Sequence, residues 1–149
     1  MALVYVRDVV QVVQLDPTAA PMQVLFIRHG EKPGDDGAPH GINHQGEHDP
    51  HSLSVRGWMR AGALAGLMSH LPSPRHEQAG SPERVIATHP SESAKSRREL
   101  DTATPIARRL AIEVEGHLGH GKEDEVRDAI LADPRTVLVV WHHGSLAHL

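Results

Sequence analysis

An α/β fold, a three-layer sandwich with a mostly parallel central sheet flanked by helices, is the architecture this sequence predicts. Three observations carry it. The runs Val24-Leu25-Phe26-Ile27, Val85-Ile86-Ala87 and Val137-Leu138-Val139-Val140 are continuous and apolar, the pattern of strands buried on both faces. Segments with apolar residues at helical spacing alternate with them. Polar clusters, Arg28-His29, Thr88 to Ser91 and His142-His143, stand directly after the three runs. A parallel sheet gathers such clusters on one edge, outside the carboxyl ends of its strands, where open α/β sheets bind ligands.

The elements follow in order. In residues 1–21, Val4, Val6, Val9, Val10, Val12 and Val13 favour a strand by β-branching, although 6, 9, 10 and 13 also fit one helical face. Asp16-Pro17 stops that segment, and Met22 leads straight into the first confident strand, Gln23 to Ile27. The expected organisation is therefore an N-terminal extension, 1–21, and one domain, 22–149. A long loop, 30–53, is rich in turn residues (Gly34, Asp35, Asp36, Gly37, Pro39) and is expected to line or cover a pocket. Ser54 caps a helix whose apolar positions Ala61, Leu64, Ala65 and Met68 recur at i, i+3, i+4 and i+7, ending near His70 before Pro72 and Pro74. Arg84 to Thr88 is the second strand. A helical pattern runs through Leu100, Ala103, Ala107 and Leu110, and Pro105 predicts a kink or a fresh helix starting there. A short strand at 112–114, a helix from Lys122 to Leu131 with Glu123 and Asp124 near its positive end, and a strand from Thr136 to Val140 complete the order.

Composition narrows the function. At 149 residues with a formal charge of −4, the chain fits one domain and offers no cationic footprint for nucleic acid. No run approaches the length of a membrane span, and no secretory signal is evident, so a cytoplasmic protein is expected. With no cysteine, disulfides, thiolate metal sites and thiol nucleophiles are excluded. There are 13 histidines, and His40, His44, His48 and His51 crowd beside Asp49. That cluster reads as a metal site or as a solvated His-rich loop; Gly41, Gly46 and Pro50 interrupt it and favour the loop, with no metal and no cofactor.

The chemistry is concentrated at Arg28-His29-Gly30-Glu31. A guanidinium grips phosphate by two parallel hydrogen bonds, and a neutral imidazole attacks phosphorus. Arginine beside it disfavours protonation of the ring, which keeps it nucleophilic. If Arg98 and an imidazole of the His142-His143 pair join from the other strand ends, two guanidiniums and two imidazoles surround one dianionic phosphoryl group.

Phe-Ile-Arg-His-Gly-Glu at positions 26–31 resembles the signature of the histidine phosphatase superfamily, which includes the phosphoglycerate mutases. Leu53-Ser54, Gly57 and Ala61 are similar to its Leu-Ser-x-x-Gly-x-x-x-Ala segment. Arg98 stands four residues before Thr102-Ala103, and His143-Gly144 follows an apolar strand, as in that family. The resemblance covers about 22–149 and implies a small phosphoglycerate mutase-like domain. It implies that His29 is the nucleophile, that Arg28, Arg98 and His143 bind the phosphoryl oxygens, and that water hydrolyses the phosphohistidine without metal. Arg97 competes with Arg98, and His142 with His143, for these places. Glu31 is the candidate general acid, beside Glu113, Glu115 and Glu123 farther on. Trp58 and Trp141 read as packing residues. Relatives continue well beyond the second histidine, whereas here five residues follow Gly144. The expectation is either a minimal, truncated copy or a sheet edge covered by something else, the N-terminal segment or a second subunit.

The resulting expectation is a phosphatase acting on a small phosphorylated substrate or a phosphoprotein, binding neither nucleic acid nor membrane. A phosphoglycerate mutase-type phosphotransferase and a catalytically silent phosphate-binding module are the alternatives.

Overall fold

A computed structural model describes residues 10–14, 23–35, 38–71 and 80–149. The signals at Val4, Val6, Val9, Asp16-Pro17, Met22, Asp36, Gly37, Pro72 and Pro74 lie outside these residues. The elements are β1 (Val10–Gln14), β2 (Gln23–Ile27), α1 (Val55–Met68), β3 (Arg84–Ala87), α2 (Arg98–Leu110), β4 (Val114–Glu115), α3 (Glu123–Leu131) and β5 (Val137–Val140), closed by a turn of 3-10 helix at Leu146–His148.

The strands form one sheet in the order β1-β2-β5-β3-β4. β2, β5, β3 and β4 are parallel, and β1 runs antiparallel along the outer edge of β2, pairing Val10 with Ile27 and Gln14 with Gln23. A segment of the expected extension thus forms an edge strand of the sheet.

Alternation along the buried strands divides the core in two. Leu25, Ile27, Val85, Ala87, Leu138 and Val140 face one side and meet Leu64, Ala65 and Met68 of α1 and Ala103, Ile106 and Ala107 of α2. Val24, Ile86, Val137 and Val139 face the other and meet Val126 and Ile130 of α3, with Trp141 completing that layer. The predicted three-layer sandwich with a mostly parallel sheet is the observed fold.

Two local expectations are corrected. Of the two alternatives at Pro105, a fresh helix is not what forms: α2 runs from Arg98 to Leu110 with Pro105 inside it. Proline leaves the Asp101 carbonyl without its helical donor, but the burial of Thr102, Ala103, Ile106 and Ala107 against the sheet holds the segment helical. The short strand is Val114–Glu115 rather than 112–114, because Val85 and Ile86 of β3 align with those two residues.

The register sets up the site. Ile27 pairs with Val140, and Val140 with Ala87, so three adjacent strands end in one row. Hydrogen bonds carry the row one residue further: Trp141 N donates to Ile27 O at 3.3 Å, Thr88 N to Val140 O at 3.1 Å and His142 N to Thr88 Oγ1 at 3.2 Å. Arg28-His29, Thr88-His89 and His142-His143 therefore leave the sheet side by side.

Candidate active site

The segment after β2 is built first by its glycine. A Cβ on Gly30 would lie 2.8 Å from Gly57 O, and one on Gly57 would lie 2.5 Å from Glu31 O, so two backbones touch where only hydrogens fit. Ser54 pins the same place: its backbone N–H and its hydroxyl each donate to Glu31 O at 3.0 Å, and its Oγ accepts from Gly57 N at 3.2 Å, capping α1. From the other side, Gly30 N donates to Thr102 Oγ1 at 2.9 Å, and Thr102 Oγ1 donates to Arg98 O at 2.7 Å. The Ser54, Gly57 and Thr102 positions thus clamp the Arg28–Glu31 segment between the starts of α1 and α2.

Held there, the His29 ring places Nδ1 2.6 Å from Gly30 O. A carbonyl oxygen only accepts, so Nδ1 carries the hydrogen, and in the neutral ring Nε2 keeps its lone pair. That is the arrangement a nucleophile needs. Facing it, the ring of His143 stands with its centroid 6.4 Å away at 73° to the His29 ring. The two histidines predicted to meet are brought together, from segments more than a hundred residues apart.

His143 is held below its usual proton affinity, chiefly by partial desolvation, then by Arg28, His142 and Lys32, while Glu99 pulls the other way. Arg28 is therefore in the electrostatic neighbourhood of the imidazole pair. Lys32 also reaches it, and sequence reasoning missed it: a cation three residues past a nucleophile carries no motif. His142 sits tilted against His143 at 4.7 Å between centroids and edge-on to His120 at 5.2 Å, forming a row of imidazoles leading away from His29. His142 Nδ1 accepts from Gly144 N at 3.2 Å, and its own backbone N–H is spent on Thr88. Of the two neighbours, His143 is the one that faces His29.

The turn bearing these rings is fastened from below. Trp141 is fully buried and donates Nε1–H to Glu123 at 3.2 Å. That carboxylate also accepts from Gly121 N at 3.3 Å. Although burial pushes its pKa up, these hydrogen bonds, with Ser145 beside it, pull it down to about 2. Glu123 is thus an anchor rather than a proton donor. Glu115 is taken by Arg84, whose Nε and Nη2 each reach it at 2.8 Å at the opposite end of the sheet. Glu113 is exposed.

Glu31 and Arg98 are placed differently from the simplest reading. Glu31 is paired with Arg60 of α1, Nε donating to Oε1 at 2.8 Å, and this partner holds its carboxyl below the usual range. Arg98 donates Nη2–H to Pro50 O at 2.8 Å and Nε–H to Ser52 O at 3.4 Å, bracing the long loop on α2. Arg97 lies 3.9 Å from Asp101 and its backbone N–H binds His51 O at 3.0 Å.

The described residues of the long loop, 30–35 and 38–53, are tied together by hydrogen bonds and β-bridges. Gly41 bridges to Ser54 and Ile42 to His48, Asn43 Oδ1 receives the N–H groups of Gln45 and Glu47, and Trp58 Nε1 donates to Ile42 O at 2.6 Å. His40 and His48 meet edge to face at 5.4 Å, yet among the described residues no three His, Asp or Glu side chains converge as a metal ion requires. No helix of the described residues is long and apolar enough to cross a membrane.

No protein-family model matches the sequence, and no curated protein does. Among solved structures the chain is similar to one described as mycobacterial hydrolase 1, at 16% identity and a TM-score of 0.50, covering 82% of this chain and 73% of that one. It is also similar to mycobacterial glucosyl-3-phosphoglycerate phosphatase in complex with VO3, at 17% identity and a TM-score of 0.48, covering 82% and 75% of the two chains. The likeness to the hydrolase is one of fold: an α/β sheet with helices on both faces.

Proposed function

We propose that this chain is a metal-independent histidine phosphatase that hydrolyses a phosphomonoester or phosphohistidine through a phosphohistidine on His29. The observation that carries the reading is the 2.6 Å contact of His29 Nδ1 with Gly30 O, which leaves the lone pair on Nε2, in a ring whose centroid is 6.4 Å from that of His143.

In the first step Nε2 attacks phosphorus, the bond to the ester oxygen breaks, and that oxygen takes up a proton from water as it departs. In the second, water attacks the phosphohistidine, the P–N bond breaks, and Nε2 recovers its lone pair while water's proton is released. Two displacements retain configuration at phosphorus. Arg28 and His143 stabilise the equatorial oxygens. Arg98 joins them by exchanging the Pro50 and Ser52 carbonyls for phosphoryl oxygens, a trade of neutral acceptors for a charged one. The substrate is a small phosphorylated molecule or a phosphoprotein, and the folded His-rich loop borders its path.

Turnover of an aryl phosphate, lost in His29→Ala and unchanged by chelator, tests this reading. The carbonyls now holding Arg98 favour one other reading, a module that binds phosphate without turning it over; tight binding of phosphate with no turnover would establish that instead.

A further inference from the structure

One buried ionisable group has no part in these steps. On α2, Glu99, Thr102, Ala103 and Ile106 follow at i, i+3, i+4 and i+7 and all are buried, Glu99 to 1% exposure. This face looks onto the sheet. Thr102 already meets Gly30, the residue after the nucleophile, and Glu99 lies one turn nearer the start of the helix. Since Gly30 adjoins His29, Glu99 stands on the part of α2 beside the segment that carries the nucleophile.

A buried carboxylate costs several kcal/mol unless hydrogen bonds or an opposite charge compensate it. Glu99 has half of that: Ser96 Oγ donates to Oε2 at 3.0 Å, while Oε1 has no partner among the described residues. An apolar residue would fit α2 here at lower cost, so the charge calls for a use.

We propose that Glu99 is a positioning residue of the phosphoryl site, its buried carboxylate serving as the counter-charge to the imidazole of His143. The charges acting on His143 are those of Arg28 and Lys32 after β2, His142 beside it and Glu99 from α2; the His29 ring stands 6.4 Å away, His120 lies behind His142, and His89 leaves the same sheet edge after β3. Arg28, His142 and Lys32 oppose protonation of the ring, and Glu99 favours it. A site that gathers cations for a dianion would otherwise strip His143 of the proton that makes it a charge-assisted donor, a bond about twice as strong as a neutral one. Glu99, buried to 1% exposure, offsets that field. The inference rests on the phosphatase reading for the use of His143, but not for the coupling itself.

Glu99→Gln keeps the shape and the Ser96 contact and removes the charge. Taking out a buried, half-paired charge leaves stability equal or higher. The imidazole of His143, followed by NMR, then titrates at lower pH than in the parent protein. With an aryl phosphate, kcat/KM at pH 7 falls about threefold, the scale of one charge acting through a partly wet site, and the deficit closes in acid, where His143 is protonated in both. Glu99→Asp, which keeps the charge, restores most of both. A folded Glu99→Gln whose His143 titrates as before, or whose loss is the same at every pH, overturns the proposal. If the parent protein turns over no phosphate ester, the phosphatase reading fails, and the titration still decides whether Glu99 governs His143.

Discussion

Replacing Gly57 by alanine sets two effects of opposite sign against each other. In a helix, Gly→Ala gains up to about 1 kcal/mol, because alanine loses less backbone entropy. Gly57 is in α1, but its missing Cβ is the space occupied by Glu31: the added carbon would sit 2.5 Å from Glu31 O and 3.0 Å from Glu31 N and Leu53 Cβ. Backbone cannot rotate aside, so the segment must move by close to 1 Å, and overpacking of this kind costs roughly 1–3 kcal/mol. Glu31 O also receives two hydrogen bonds from Ser54, each worth about 1 kcal/mol, which the same movement strains. The clash wins, with a net loss of about 2–3 kcal/mol, or a fall in Tm of roughly 5–10 °C for a chain of this size. Because His29 lies on the displaced segment, kcat/KM for an aryl phosphate drops by about 10²-fold. Gly62→Ala and Gly66→Ala supply the control: they lie in the same helix with nothing within 4 Å, and each raises stability by about 0.5–1 kcal/mol. Denaturant unfolding and steady-state kinetics on the three variants decide it. If Gly57→Ala gains stability as the other two do and stays active, the clamp on the Arg28–Glu31 segment is refuted.

Three further outcomes are expected. Glu31→Gln lowers kcat/KM by less than tenfold in aryl phosphate kinetics, because Arg60 holds that carboxyl ionised; a general acid would cost about 10²- to 10⁴-fold. Glu123 is held at about 2 against an ordinary 4.5, so its stabilisation is complete above pH 4.5 and is lost as pH falls toward 2. Glu123→Gln should therefore unfold at lower denaturant at pH 7, by about 1–2 kcal/mol after allowing for solvent screening, and converge with the parent protein in acid. Arg84 is 7% exposed and carries Glu115 and the Ala129 carbonyl at the end of the sheet away from the imidazoles. Arg84→Met costs about 2–3 kcal/mol in unfolding experiments by stranding Glu115, with kcat/KM preserved under folded conditions.

The sheet was legible because its three central strands are buried on both faces and so leave unbroken apolar runs, which end within a residue of Ile27, Ala87 and Val140. The meeting of His29 with His143 was legible for a related reason: residues that follow parallel strands share an edge whatever their distance in sequence. What a linear pattern does not carry is side-chain aim. Arg98 is where the spacing put it, but its guanidinium turns to the Pro50 and Ser52 carbonyls. Glu31 follows the nucleophile, yet its partner Arg60 lies 29 residues on, one turn into α1 beyond Gly57. No fresh helix begins at Pro105 because the burial of its neighbours on α2 outweighs local propensity. Lys32 and Glu99 bear on His143 only through the electrostatic field, and no short motif marks such a relation. The Ser54, Gly57 and Thr102 positions were noticed as spacing, and their reason, the clamp around Gly30, needed three dimensions.

The central claim is that His29 Nε2 takes the phosphoryl group. Rapid quench in base after mixing with a phosphorus-labelled aryl phosphate, followed by peptide mapping and nitrogen NMR of the labelled ring, reads it directly. The account predicts label on His29 alone, on Nε2 and not Nδ1, and none in His29→Ala. Turnover that persists in His29→Ala, or label on another residue or on Nδ1, would contradict it.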